Sequence, residues 1–128
     1  MQIHQSAEDY LETILMLNQR MGRVRSIDVV NELGYTKASV SIAMKKLREN
    51  GYIAVDGEGN LTLLEPGREI AERIYSRHQL LTHFFVQLGV DEEVAAEDAC
   101  KAEHILSEQT LEKIREYALL HDAQDSVK

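Results

Sequence analysis

The sequence has no tryptophan and only two phenylalanines among 128 residues, so its core must be built mainly from aliphatic side chains. It has one cysteine, Cys100, which excludes an internal disulfide and suits a reducing compartment. No apolar run approaches the ~20 residues that span a bilayer. The opening "MQIHQSAEDY" lacks the basic and apolar stretches of a secretion signal. A cytoplasmic protein with no membrane partner is therefore expected. Positive charge is scarce, with 14 Lys and Arg against 22 Asp and Glu and a net charge of −8, which argues against indiscriminate binding to nucleic acid. What is abundant is apolar character, 44% of the residues, enough for one packed domain or two small subdomains sharing a core.

The average charge conceals an asymmetry. From Arg20 to Arg48 the chain carries Arg20, Arg23, Arg25, Lys37, Lys45, Lys46 and Arg48 against only Asp28 and Glu32. Such a segment is a candidate footprint for phosphates, although solvated helix faces give the same pattern. The order of elements is more informative. "SAEDYLETILMLNQRM" opens with Ser6 and Asp9 spaced as a capping box, and places Tyr10, Ile14 and Leu17 on one helical face. "SIDVVNELG" starts at Ser26, a capping residue, and stops at Gly34. After the turn "YTK", "ASVSIAMKKLRENG" spaces Val40, Met44 and Leu47 as an amphipathic helix. Two apolar runs then flank "DGEGN", a hairpin turn signal. Two short helices, a tight turn, a helix with small polar and basic residues outward, and a hairpin make a winged helix-turn-helix.

Pro66 favours the first turn of a further helix, which the pattern extends to about Gly89. "VDEEVAAEDACKAEHILS" predicts a fifth helix through Ser107, and "SEQTLEKIREYALLHD" a sixth capped by Ser107, with "AQDSVK" as a frayed tail. The fold class expected is mainly α: a winged helix-turn-helix with a small β-hairpin wing over 1–65, then a helical dimerisation and metal-binding domain over 66–128.

Within the fifth helix, Cys100, Glu103 and His104 are spaced i, i+3, i+4 and converge on one face. Asp9 and Glu12 have i, i+3 spacing on the first helix, and His78 on the fourth could meet both sets. Thiolate, imidazole and carboxylates together suit a first-row divalent metal. A buried cysteine beside solvated acids would show the same spacing, and spacing alone leaves both readings open. His83 falls on a different side of its helix from His78. His4 and His121 lie near the chain ends.

The segments "SAEDYLETILML", "SVSIAMKKLRENGYI", "LLEPGREIAERIYSRHQLL" and "EDACKAEHILSE", in this order and spacing, resemble the diphtheria toxin repressor family of metal-dependent transcriptional repressors. The resemblance runs from residue 6 to about 120 and is nearest the short, manganese-transport-regulator members, since nothing corresponds to the SH3-like domain of longer ones. It implies an N-terminal winged helix, a helical dimerisation domain and metal sites. Asp9 and Glu12 fall on ligands of the manganese-type members, where iron-type members carry methionine in place of Asp9. His78, Glu103 and His104 fall on shared ligand positions. Cys100 is the iron-type cysteine, where many manganese-type members have glutamate. Thr82 and Ala96 replace iron-type ancillary ligands. The resemblance therefore implies a paired site for Mn2+ or Fe2+, up to two ions per subunit, near Asp9, Glu12, His78, Cys100, Glu103 and His104.

The function expected is a Mn2+- or Fe2+-dependent repressor of metal homeostasis genes, a homodimer on double-stranded operator DNA. Metal fixes the two recognition helices at the spacing of successive major grooves, ~34 Å. Thr36, Lys37 and Ser39, at the start of the recognition helix, and Ser41 and Lys45, on one of its faces, are the expected DNA contacts. Ile42 stands where the iron-type members have a polar residue, and suits a thymine methyl. The wing carries Asp56 and Glu58, so only weak or backbone contact is expected there. No catalytic base remains once the ligands are assigned, so no enzyme is expected. A winged-helix regulator answering a small organic ligand or a partner protein is the alternative.

Overall fold

The computed structural model of the chain describes residues 5–127, and the side chains of residues 6–122; His4 lies outside the described residues. The order is α1 (Gln5–Met21), α2 (Ser26–Leu33), α3 (Lys37–Glu49), β1 (Ile53–Val55), β2 (Leu61–Leu63), α4 (Glu65–Gln87), α5 (Glu92–Ala102) and α6 (Glu108–Val127). The chain divides into two compact units, one through Arg73 and one from Ile74, so the division falls inside α4. No described helix is long and apolar enough to cross a membrane.

The first unit is a winged helix-turn-helix. Leu11, Ile14 and Leu17 of α1, Val29 of α2, Val40, Met44 and Leu47 of α3, and Ile53, Leu61 and Leu63 of the wing are all buried. Gly34 ends α2 in the left-handed region, φ 71°, and its N–H bonds the Val30 carbonyl. Thr36 caps α3, accepting the Ser39 N–H at 3.1 Å.

Two caps differ from the sequence expectation. Ser6 lies inside α1, and Ser26 is the first residue of α2 rather than its cap. Arg25 takes the cap position because its backbone is extended (φ −119°, ψ 166°). It bridges Asn60 across from the wing, and the neighbouring Val24 carbonyl accepts the Leu61 N–H at 2.7 Å. The wing thus sets the start of α2. The Asp28 carboxylate closes the cap by accepting the Arg25 N–H at 2.9 Å.

The wing is an antiparallel pair in register Ile53↔Leu63 and Val55↔Leu61. Its turn is organised by Asp56, whose carboxylate accepts N–H groups from Glu58 at 2.8 Å and Asn60 at 2.9 Å, and the Asn60 side-chain amide at 3.0 Å. The hydrogen bonds from Asn60 hold its carboxyl below the ordinary value of 3.8, with Glu58 and Arg23 acting in the same direction. A carboxyl depressed in the folded state stabilises that state above its unfolded pKa and loses the contribution as pH falls through the folded pKa. Asp56→Ala should therefore lower the urea midpoint at neutral pH, and the gap to wild type should close as pH falls below 3.8. A gap independent of pH would show that the charge of Asp56 plays no part.

In the second unit Leu81 of α4, Ala99 of α5 and Leu111 of α6 are buried together, flanked by Leu80, Phe85, Ala102, Leu106 and Ile114. Here two helix ends differ from expectation. α5 stops at Ala102 rather than reaching Ser107. The Ile105 and Leu106 N–H groups both bond the Ala102 carbonyl, which folds the chain into a turn and brings Leu106 onto the core. Ser107 then caps α6, accepting the Thr110 N–H at 3.2 Å. α6 continues past Asp122 to Val127, because "AQDSV" contains neither glycine nor proline to stop it. The His83 imidazole pairs with Asp122 at 2.9 Å, a role between α4 and α6 distinct from that of His78.

Candidate metal centre and nucleic-acid face

Three of the expected metal ligands come together within the second unit. His78 sits in α4, and Glu103 is the C-cap of α5, its N–H still bonding the Ala99 carbonyl at 3.0 Å. His104 occupies the turn that follows. The Glu103 carboxylate lies 3.3 Å from His78 Nδ1 and 3.5 Å from His104 Nε2. Glu103 is completely buried, and the side chain of His104 is 2% exposed. The imidazoles are close enough for ion pairing but misaligned for hydrogen bonds: among the described residues neither carboxylate oxygen of Glu103, nor His78 Nδ1, has a hydrogen-bond partner. Burying a carboxylate without donors costs several kcal/mol, by an order-of-magnitude argument. Two imidazole nitrogens around such a carboxylate form a donor set that a divalent cation satisfies. The residues present therefore fit the metal that the sequence implies.

In the first unit α1 carries Asp9, half-buried, and Glu12, buried, about one turn apart. Tyr10 lies between them in sequence, and its hydroxyl is pushed above the ordinary tyrosine range, chiefly by burial, with Tyr35 and Asp9 adding. Its ring packs edge-on against Tyr35 at 5.8 Å.

Cys100 differs from Glu103 in exposure. It is exposed on α5, whereas Glu103 is fully buried. Glu103 keeps helical backbone angles, φ −59° and ψ −23°, so the i, i+3 spacing from Cys100 is helical. With α5 ending at Ala102, His104 belongs to the turn.

On the nucleic-acid side, Thr36, Lys37, Ser39, Ser41 and Lys45 are all exposed. Val40, Met44 and Leu47 anchor the opposite face of α3. Ile42, 58% exposed, stands among the outward residues, an arrangement that suits apolar contact with a base edge. Lys45 and Glu49 form only a loose pair at 4.0 Å. Ser41, Met44, Lys45 and Arg48 of α3, with Ser26 and Val55, line an open hollow of about 210 Å³. Arg48 and Ser26 are residues that sequence reading did not single out as contacts. The signal for Arg48 was its spacing, three residues from Lys45 and seven from Ser41, which repeats the helical face.

Residues 2–61 match the family model described as iron dependent repressor, N-terminal DNA binding domain. Residues 64–120 match that of the iron dependent repressor, metal binding and dimerisation domain. An uncharacterised HTH-type transcriptional regulator of Methanocaldococcus jannaschii is 36% identical over 113 residues, covering 87% of this chain and 90% of the relative. The HTH-type transcriptional regulator MntR of Bacillus subtilis is 32% identical over 123 residues, covering 96% and 87%. Among solved structures, a manganese-dependent transcriptional repressor in complex with manganese superposes with a TM-score of 0.80 at 27% identity, over 88% of this chain and 52% of that one. The chain thus spans about half the length of that solved protein.

Proposed function

Because the chain belongs to the iron-dependent repressor family, we propose that it is a transcriptional repressor whose hold on double-stranded operator DNA depends on Mn2+ or Fe2+. The observation that carries the reading is the buried Glu103 carboxylate, set between His78 and His104 with no hydrogen-bond donor among the described residues. A relative named MntR and a manganese-dependent structural neighbour support the choice of metal class.

In this reading His78, Glu103 and His104 are ligands from the second unit, Asp9 and Glu12 from α1 of the first, and Cys100 is the exposed donor, with up to two ions per subunit. Carboxylate oxygens suit Mn2+, while imidazole and thiolate also favour Fe2+. The bound metal supplies the positive charge that these buried acids need. The ligands on α1 belong to the winged helix, so their engagement restricts where α3 can sit. Thr36, Lys37, Ser39, Ser41 and Lys45 then meet DNA through the exposed face of α3. Since metal favours the DNA-competent state, DNA tightens metal binding by the same factor. A homodimer presents two such helices. Leu88, Leu119 and Leu120 of the second unit, 61–63% exposed, are the apolar surface a partner copy would cover. A repressor of this kind works where the chromosome is, in the cytoplasm.

The test is DNA binding titrated anaerobically with Mn2+, Fe2+, Co2+ and Zn2+. Affinity should be low without metal and rise at least tenfold with Mn2+ or Fe2+. Equal binding with and without metal would overturn the reading in favour of a regulator answering another ligand. The Co2+ protein decides the role of Cys100: a ligating thiolate gives a near-ultraviolet charge-transfer band that Cys100→Ser abolishes. A fully loaded wild type without that band removes Cys100 from the ligand set.

A further inference from the structure

We propose that Arg77 is a positioning residue for the metal centre, holding the turn that carries Glu103 and His104 against the helix that carries His78. The inference rests on the metal reading above and deepens it.

Where α5 ends, its last carbonyl groups lose their intrahelical partners. The Glu103 carbonyl is satisfied from outside the helix: Arg77 Nη1 donates to it at 3.3 Å. The second arm of the same guanidinium, Nη2, pairs with the Glu108 carboxylate in the first turn of α6. One planar side chain, only 16% exposed, therefore ties α4 to both ends of the short segment between α5 and α6. A positive group also suits the C-terminal end of α5, where the helix dipole is negative.

Consider what these bonds restrain. The carbonyl that Arg77 holds and the carboxylate that faces His78 belong to the same residue, Glu103. Fixing the carbonyl fixes the peptide between Glu103 and His104, from which both side chains hang. Arg77 is next to His78 in the chain, so all three ligands are referred to one point on α4. The turn is also held by the Glu103, Ile105 and Leu106 N–H bonds to α5 carbonyls and by Leu106 packing, none of which fixes the Glu103 carbonyl. A buried carboxylate lacking donors has reason to swing away from such a site in the absence of metal. Arginine suits the task because its guanidinium offers several donors in a fixed plane, whereas the ammonium of lysine acts as a point charge.

The test uses the full chain, with Co2+ as the spectroscopic probe and Mn2+ as the competitor. Arg77→Ala should weaken Co2+ binding about 10- to 100-fold, the effect usual for partners that orient ligands from outside the coordination sphere. It should also shift the visible absorption of the saturated Co2+ protein, a property that lower stability alone would not change. Arg77→Lys, which keeps the charge and guards against a misfolded alanine variant, should recover part of the affinity. Glu108→Gln, which spares the Glu103 carbonyl bond, should change affinity by less than about threefold. Equal affinity and an identical spectrum for wild type and Arg77→Ala overturn this inference while leaving the metal reading intact. A wild type that takes up neither Co2+ nor Mn2+ overturns both.

Discussion

Glu103→Gln is expected to make the metal-free protein more stable and to abolish the further stabilisation that Mn2+ or Co2+ gives the wild type. The two effects have opposite consequences and a single cause. Glu103 is fully buried, and among the described residues neither carboxylate oxygen has a hydrogen-bond donor. Glutamine has nearly the same shape without the charge, so the metal-free protein should gain about 1–3 kcal/mol, the order of the penalty for an unsatisfied buried polar group. The wild type should recover more than this when metal is added. At a metal concentration one hundred times Kd, the gain from selective binding to the folded state is about 2.7 kcal/mol. In the variant the neutral amide is a poor ligand beside His78 and His104, and that gain should vanish. Thermal melts with and without metal supply all four values. A metal-free variant less stable than wild type would mean that the imidazoles at 3.3 and 3.5 Å already satisfy the carboxylate. A variant that keeps the full metal-dependent rise would remove Glu103 from the ligand set.

The winged helix is legible in the sequence because its signals are local. Gly34 stops α2, Thr36 precedes α3, the spacing of Val40, Met44 and Leu47 marks one face, and "DGEGN" makes the wing turn. The caps are less so. Ser26 has the right chemistry for a cap, but the extended backbone of Arg25 is imposed by its bridge to Asn60, 35 positions along the chain. The same holds for the candidate site. Periodicity brings Glu103 and His104 near Cys100 and offers His78 as a partner on the fourth helix, and the family resemblance assigns them as ligands. Yet the end of α5 depends on Leu106 reaching Leu81 and Leu111, a tertiary demand that no window of local sequence contains. Glu103 itself keeps helical backbone angles and lies one turn beyond Cys100, and the turn that follows carries His104. Arg77 is illegible for a related reason: one among many surface-type arginines in sequence, it acquires a role only through a carbonyl 26 residues away.

Gly67→Ala is expected to be the most damaging single methyl addition in the first unit. Gly67 lies in the first turn of α4, where its backbone passes close to that of Tyr52, the residue just before β1. A Cβ there would stand 2.1 Å from the Tyr52 carbonyl oxygen and 3.4 Å from the Leu11 side chain. The oxygen cannot retreat easily, because it accepts the Leu64 N–H at 3.0 Å while the Tyr52 N–H donates to Leu47 at 3.0 Å. Relief requires moving α4 away from the strand that begins the wing, and with it the packing of Leu11 in α1. Forced overpacking typically costs 1–3 kcal/mol and occasionally more, and a backbone target places this case at about 3 kcal/mol. Gly57→Ala is the control, since Gly57 has open space around its Cβ position and should change stability by less than about 0.5 kcal/mol. Urea unfolding followed by circular dichroism gives both numbers. A Gly67→Ala protein within 1 kcal/mol of wild type would show that α4 shifts more freely than this packing allows. The functional consequence follows from which residues share the damaged core. Val40, Met44 and Leu47 hold α3 in place, so DNA affinity should fall with the folded fraction of the first unit. His78, Glu103 and His104 lie in the other unit. Metal affinity should therefore drop by what Asp9 and Glu12 contribute and by any shift of α4 that reaches His78, so it should fall less than DNA affinity does.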